Sequence, residues 1–290
     1  MNIAIAAPAR LVTPEVMAFA LDWLTSLGLV PVYDERLYAT DFIFAGNDDF
    51  RAAVIQEYMD RDDIDAIWLA KGGYGSIRII DKLNFSNYVK HPKPFIGFSD
   101  TTVFHGKMQR LGIPSIHASM PFNLANKTPE ALQSLYDALT GKPLQYQWTS
   151  HPLNQPGNAQ GIIVGGNLSV LYGMLGSNSF PITDGNILFI EEVDEYIYHI
   201  ERMLYGLKRA GKLDHLKALV VGGLTDIHDN PEPFGKTVKQ AIFDIVKDYG
   251  YPVVFGFPAG HQPDNRAIVF GKEAKLSVSG NGCHFLQDLL

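Results

Sequence analysis

A chain of 290 residues is long enough for roughly two domains and an ample core. It is 46% hydrophobic and 19% charged, as soluble globular proteins are, and its net charge of -7 argues against nucleic acid or an anionic membrane as the main partner. Its single cysteine, Cys283, excludes an intrachain disulfide and a cysteine metal cluster and suits a reducing cytoplasm.

The chain opens on a strand-like run, Ile3–Ala7, without the basic start and long apolar stretch of a secretion signal. No apolar run reaches the ~18 residues of a membrane span. The expectation is a soluble cytoplasmic protein. Thr13-Pro14 then supplies an N-cap and a proline at the first helical position, and Gly28 closes that helix. Its apolar stripe reads Val16, Ala20, Trp23, Leu24 and Leu27. Leu29–Tyr33 is a second strand, Asp49–Asp60 a helix and Asp65–Ala70 a third strand running into Lys71-Gly-Gly-Tyr-Gly75. Phe95-Ile96 stops at Gly97, Ser99 follows in a tight bend, and a helix runs from Asp100 to Leu111. Pro114–His117 reads as a strand and Thr128-Pro129 to Gly141 as a capped helix. Such alternation predicts a mainly parallel sheet covered on both faces.

From Lys142 to Gln160 the composition turns to Gln, Asn, Pro and Gly without a helical stripe, which marks 142–160 as a linker between lobes 1–141 and 161–290. The second lobe offers strands at Gly161–Val164, Asn186–Ile190, Lys217–Val221, Pro252–Phe255, Ala267–Phe270 and Lys275–Val278. Gly165-Gly-Asn167 reads as a turn into a helix, and further helices span Tyr196–Ala210 and Gly235–Tyr249. The fold class is α/β, two lobes with a cleft between them.

Parallel sheets place their sites at the C-terminal ends of strands. Four polar features fall there: Gly72-Gly73, Ser99, Glu191 and Gly260-His261. A serine at a strand-to-helix corner has the geometry of a nucleophile elbow, although Thr101 stands where G-x-S-x-G has its last glycine. Together the four supply nucleophile, base, carboxylate and N–H donors, the requirements of acyl transfer. Each also has a plainer reading. Gly72–Gly75 suits a tight turn or a phosphate cradle, though neither G-x-G-x-x-G nor G-x4-G-K-[ST] is present. Glu191 begins an acidic run with Glu192, Asp194 and Glu195 that suits a solvated turn, and His261 is one of nine histidines. Asp226-x-His228-Asp229 suggests a metal but lacks a distant third ligand, and Asp100 fits an N-cap better than a base.

Lys71-Gly-Gly-Tyr-Gly75, Gly97-Phe-Ser-Asp100, Gly165-Gly-Asn-Leu168, Phe189-Ile-Glu-Glu192 and Gly260-His261, in that order, give the chain its likeness to a known family. Over nearly its whole length it resembles the LD-carboxypeptidases, which comprise muramoyltetrapeptide carboxypeptidases and microcin C self-immunity proteins. The resemblance implies an N-terminal lobe like a flavodoxin or class I amidotransferase domain and a smaller mixed α/β lobe, usually in a homodimer. It implies Ser99 as nucleophile, His261 as general base, Glu191 as the residue orienting the histidine, and an oxyanion hole from the N–H groups of Gly73 and Asp100, beside Gly72. It implies a murein peptide substrate, release of terminal D-alanine in cell-wall recycling, and no metal or organic cofactor. Three departures stand out: Lys71 where arginine is common, His117-Ala-Ser-Met120 where many members read His-Gly-Pro-Met, and Ala7-Pro8-Ala9-Arg10 without the usual serine. Lysine offers a substrate carboxylate a point charge and not a bidentate fork. Two other functions fit the same residues: hydrolysis of peptidyl- or aminoacyl-nucleotides, and non-catalytic binding of a small ligand between two lobes.

Overall fold

Parallel strands need crossover connections, and helices supply most of them here. The structure is a computed structural model and describes residues 1–289. In chain order, β1 (Asn2–Ala6), α1 (Pro14–Ser26), β2 (Val30–Val32), α2 (Asp48–Asp60), β3 (Ala66–Leu69), α3 (Ser76–Ile79), β4 (Phe95–Gly97), α4 (Thr102–Arg110), β5 (Ser115–His117) and α5 (Pro129–Leu139) form the first half. Among themselves these five strands pair only in parallel. β3 is buried at every position, as a strand covered on both faces must be. In α1 the buried residues are Met17, Ala20 and Leu24, spaced for one helical face, whereas Val16, expected in the stripe, points to solvent.

The second half holds β6 (Leu144–Trp148), β7 (Gly157–Asn167), α6 (Leu168–Gly173), β8 (Ile187–Val193), α7 (Ile197–Arg209), β9 (Ala218–Thr225), α8 (Val238–Val246), β10 (Val253–Phe255), β11 (Ile268–Phe270), β12 (Glu273–Ser279) and β13 (Gly282–Gln287). The first sheet is ordered β11-β5-β4-β3-β1-β2 and the second β10-β9-β8-β7-β12-β13-β6. Strands β10, β9, β8 and β7 are parallel, while β7, β12, β13 and β6 are antiparallel. β7 belongs to both regimes. Its first six residues alternate in burial against β12, and its last five are buried throughout beside β8. Gly165-Gly166, expected as a turn, is the end of this strand.

The chain does not divide at one point. The segment expected as a linker contributes β6 to the edge of the second sheet. Conversely β11, from the C-terminal half, pairs antiparallel with β5 in the first sheet. Apolar packing is continuous between the halves: Val103 and Phe104 of α4 share one core with Val164 and Leu168. Close approach is achieved by glycine. A Cβ on Gly106 would stand 2.0 Å from the Ser179 carbonyl oxygen, and one on Gly166 would stand 2.4 Å from Thr102 Oγ1.

Candidate active site

β4 ends at Gly97, and the chain then turns through one 3-10 turn, Ser99–Thr101, into α4. Ser99 carries φ +66°, a left-handed backbone that L-residues adopt at a cost of about 1–3 kcal/mol. That turn lifts the part-exposed serine off the sheet edge, between fully buried Phe98 and buried Asp100. Thr101 explains why the last glycine of the elbow pattern is dispensable. Its hydroxyl donates to the Phe98 carbonyl at 2.9 Å, and the tight contact falls on Gly97, where a Cβ would stand 2.7 Å from Thr101 Oγ1.

Glu191 lies in β8, where the register with β9 shifts between Ile190 and Glu192. Such a bulge re-aims one side chain relative to its neighbours. Glu191 and Glu192 are both buried and serve different partners, which excludes a solvated acidic turn at this point. Glu191 Oε2 is 2.7 Å from His261 Nδ1, and His261 Nε2 is 2.9 Å from Ser99 Oγ. A carboxylate beside Nδ1 fixes the proton there and leaves Nε2 as an acceptor facing the serine hydroxyl. Glu192 instead accepts from Asn167 Nδ2, Ser169 N and Oγ, and Val193 N, tying β8 to the start of α6. Burial raises the Glu192 pKa against those hydrogen bonds.

His261 follows Gly260, whose φ of +118° and missing side chain admit Glu191: a Cβ there would stand 2.9 Å from Glu191 Cβ. The loop is fixed from three sides. Gly260 N–H donates to Asn265 Oδ1 at 2.7 Å, Lys127 Nζ donates to the Gln262 carbonyl at 2.9 Å, and Thr128 N–H donates to the Pro263 carbonyl at 3.2 Å. The Phe98 ring packs on the imidazole with centroids 4.8 Å apart.

Opposite the imidazole lies the turn after β3. A Cβ on Gly72 would stand 3.3 Å from Asp100 N, so a side chain there would crowd the N–H that follows the serine. Gly73 has φ +100°. Among the described residues, no hydrogen-bond acceptor takes the N–H of Gly73 or of Asp100. The Asp100 carboxylate does not cap its own helix, as its position suggested. It accepts from Ser76 N at 2.9 Å and so caps α3, which fastens the glycine turn to the elbow. Burial is the main cause that raises its pKa.

Sequence reasoning did not find Arg51, Lys127 or Asn265. Arg51 is buried in α2, and its guanidinium donates to the carbonyls of Pro8, Gly46 and Gly75 and to Asp48. It thereby joins three loops at the C-terminal edge of the first sheet. Little local distinguishes these residues, since apart from Asp48 their partners lie between 5 and 146 positions away. The acidic and histidine residues after β9 pair elsewhere: His228 Nε2 meets Asp194 Oδ1 at 2.7 Å, and Asp229 accepts from Asn230 N and Phe234 N. Among the described residues no three His, Cys, Asp or Glu side chains are grouped to hold a metal ion, and no helix is long and apolar enough to cross a membrane.

Comparison with known proteins gives a consistent result. A family model described as "LD-carboxypeptidase N-terminal domain" matches residues 3–118, and one described as "LD-carboxypeptidase C-terminal domain" matches residues 160–276. A Bacillus subtilis protein named "Probable murein peptide carboxypeptidase" is 33% identical over 96% of this chain and 89% of its own length. The crystal structure of muramoyltetrapeptide carboxypeptidase from Oxalobacter formigenes superposes with a TM-score of 0.90 at 29% identity, covering 99% of this chain and 98% of that one. A structure of MccF in complex with glutamyl sulfamoyl guanosine shares the fold, with a TM-score of 0.87 at 21% identity over 100% of this chain and 96% of that one.

Proposed function

The chain belongs to the LD-carboxypeptidase family, and from that premise we propose that it is a serine LD-carboxypeptidase releasing the terminal D-alanine of murein tetrapeptide. The carrying observation is the continuous line from buried Glu191 through His261 to Ser99, with contacts of 2.7 and 2.9 Å. In this reading Ser99 Oγ attacks the carbonyl carbon of the L,D bond while its proton passes to His261 Nε2. Glu191 holds the Nδ1–H and stabilises the imidazolium formed. The carbonyl oxygen, now an oxyanion, takes the open N–H groups of Gly73 and Asp100, where one such donor is worth ~10²–10³ in rate. On collapse the C–N bond breaks, Nε2 gives its proton to the departing amine, and D-alanine leaves. Water then gives a proton to Nε2 as its oxygen attacks the ester. That proton returns to Ser99 Oγ as the acid product leaves.

A second reading is hydrolysis of an aminoacyl- or peptidyl-nucleotide. The likeness to the MccF fold supports it, as do Tyr196 and Tyr198, exposed with ring centroids 5.7 Å apart just past β8, a surface on which a base could stack. The deciding assay is D-alanine release from L-Ala-γ-D-Glu-meso-diaminopimelate-D-Ala by wild type and Ser99→Ala. Release by wild type, cut at least ~10³-fold in the variant, is expected. Equal release by both would remove Ser99 from its role. No release by either, with cleavage of an aminoacyl sulfamoyl nucleoside, would put the second reading first. If neither substrate is cleaved, a ligand-binding role remains.

A further inference from the structure

Many cations of this acidic chain are neutralised in place. Arg36, Arg61, Arg78, Lys82, Lys236 and Arg266 each stand within 3.0 Å of a carboxylate oxygen. Arg10 and Lys71 do not, and they share the edge from which Ser99 projects. Arg10 follows β1 and Lys71 follows β3, and these strands are parallel neighbours. Arg10 N–H donates to the Gly72 carbonyl at 3.4 Å, and its side chain lies over Gly73, where a Cβ would stand 2.7 Å from Arg10 Cδ and 2.8 Å from Nε. Lys71 Nζ donates to the Leu11 carbonyl at 3.3 Å and sits 5.5 Å from the centroid of the Phe122 ring. Among the described residues neither forms an ion pair with a carboxylate.

Burial, and secondarily the Arg10 guanidinium, lowers the Lys71 pKa. Two like charges, one part-buried and short of acceptors, oppose each other until an anion arrives. The glycine turn that offers a free N–H to an oxyanion lies directly between this pair and Asp100. We infer that Arg10 and Lys71 form a subsite that binds a free carboxylate of the peptide substrate, which rests on the hydrolase reading above. Two carboxylates carry that chemistry: the terminal one of the leaving D-residue and the side-chain one of the diamino acid.

Calorimetry on Ser99→Ala, with and without Arg10→Gln plus Lys71→Met, tests this. Three ligands are compared: the tetrapeptide, its C-terminal amide, and the analogue with L-lysine in place of diaminopimelate. The double substitution is expected to weaken tetrapeptide binding about 10- to 100-fold, as loss of charge-assisted hydrogen bonds does. The ligand lacking the recognised carboxylate binds Ser99→Ala weakly and is indifferent to the substitutions, which identifies the carboxylate. Equal weakening of all three ligands, no weakening, or no binding of the tetrapeptide would overturn the inference. D-alanine release by wild type is scored separately. Release without carboxylate discrimination removes the subsite and leaves the reaction, while discrimination without release leaves the subsite and removes the reaction.

Discussion

The two sheets build their halves of the site by different means. At the edge of the first sheet the candidate groups are placed by backbone: Ser99 at φ +66°, Gly73 at φ +100°, and the N–H groups beside them. At the edge of the second they are placed by side chains in fixed hydrogen bonds, Glu191 to His261 and Asn265 to Gly260. The first half should therefore respond chiefly to changes in backbone freedom. The second should respond to changes in donor and acceptor identity.

The sharpest test of that contrast compares adjacent glutamates. Glu191→Gln keeps the shape and loses the carboxylate that fixes the His261 tautomer, so kcat should fall by about 10³–10⁴-fold. Glu192→Gln should leave kcat within a few-fold and lower stability by about 1–3 kcal/mol, because each oxygen accepts two of its four hydrogen bonds and the new amide nitrogen faces two donors. Equal losses of kcat in the two variants would erase the distinction. Next comes Arg51→Met, which strands three loop carbonyls and leaves Asp48 to Arg78 alone, and it should cost about 3–5 kcal/mol by urea unfolding. A near-neutral outcome would mean that the loops hold themselves.

The pH dependence of stability probes the floor beneath Ser99. His105 donates from Nε2 to the Gly97 carbonyl at 2.9 Å and accepts at Nδ1 from Ser115 Oγ at 2.8 Å. Burial lowers its pKa to about 4. An unfolded histidine titrates near ~6.5, so between these values the unfolded chain binds more protons. This contribution is complete above the unfolded value and is lost as pH falls, amounting to about 3 kcal/mol by pH 4. Urea midpoints of wild type and His105→Gln should converge on acidification, and a constant difference would exclude His105 as the source. The smallest effect is expected from Ser99→Gly, which should raise stability by about 1 kcal/mol while abolishing turnover, since glycine accepts φ +66° freely. A loss of stability would show that the elbow is held by its serine side chain.

Much of this architecture was readable in advance because parallel strands are short apolar runs between capped helices. Thr13-Pro14, Thr128-Pro129 and Gly28 marked helix ends correctly, and Ser99 follows β4 and His261 lies in the loop after β10 as expected, whereas Glu191 lies inside β8, which runs on to Val193. The strands that escaped are amphipathic. Leu144-Gln-Tyr-Gln-Trp148 alternates with period two, but its glutamines lent it the look of a linker, and Cys283, Phe285 and Gln287 alternate in the same way in β13. What the sequence could not convey was which distant backbone a polar side chain would serve. Arg51 reaches Gly75, and Asp100 caps a helix that begins 24 residues earlier. Such pairings are set by how the strands stack and leave no local spacing.

The crossing of β11 into the first sheet sets the order in which the protein can be completed during translation. β1 to β5 emerge from the ribosome first, and the edge of β5 stays open until Ile268–Phe270 have been made. An unpaired strand edge invites pairing with another chain. A nascent or truncated chain that stops short of residue 268 would therefore carry Ser99 on a sheet whose β5 edge is raw, exposed to aggregation and to chaperones. The last tenth of the polypeptide seals the part that was made first.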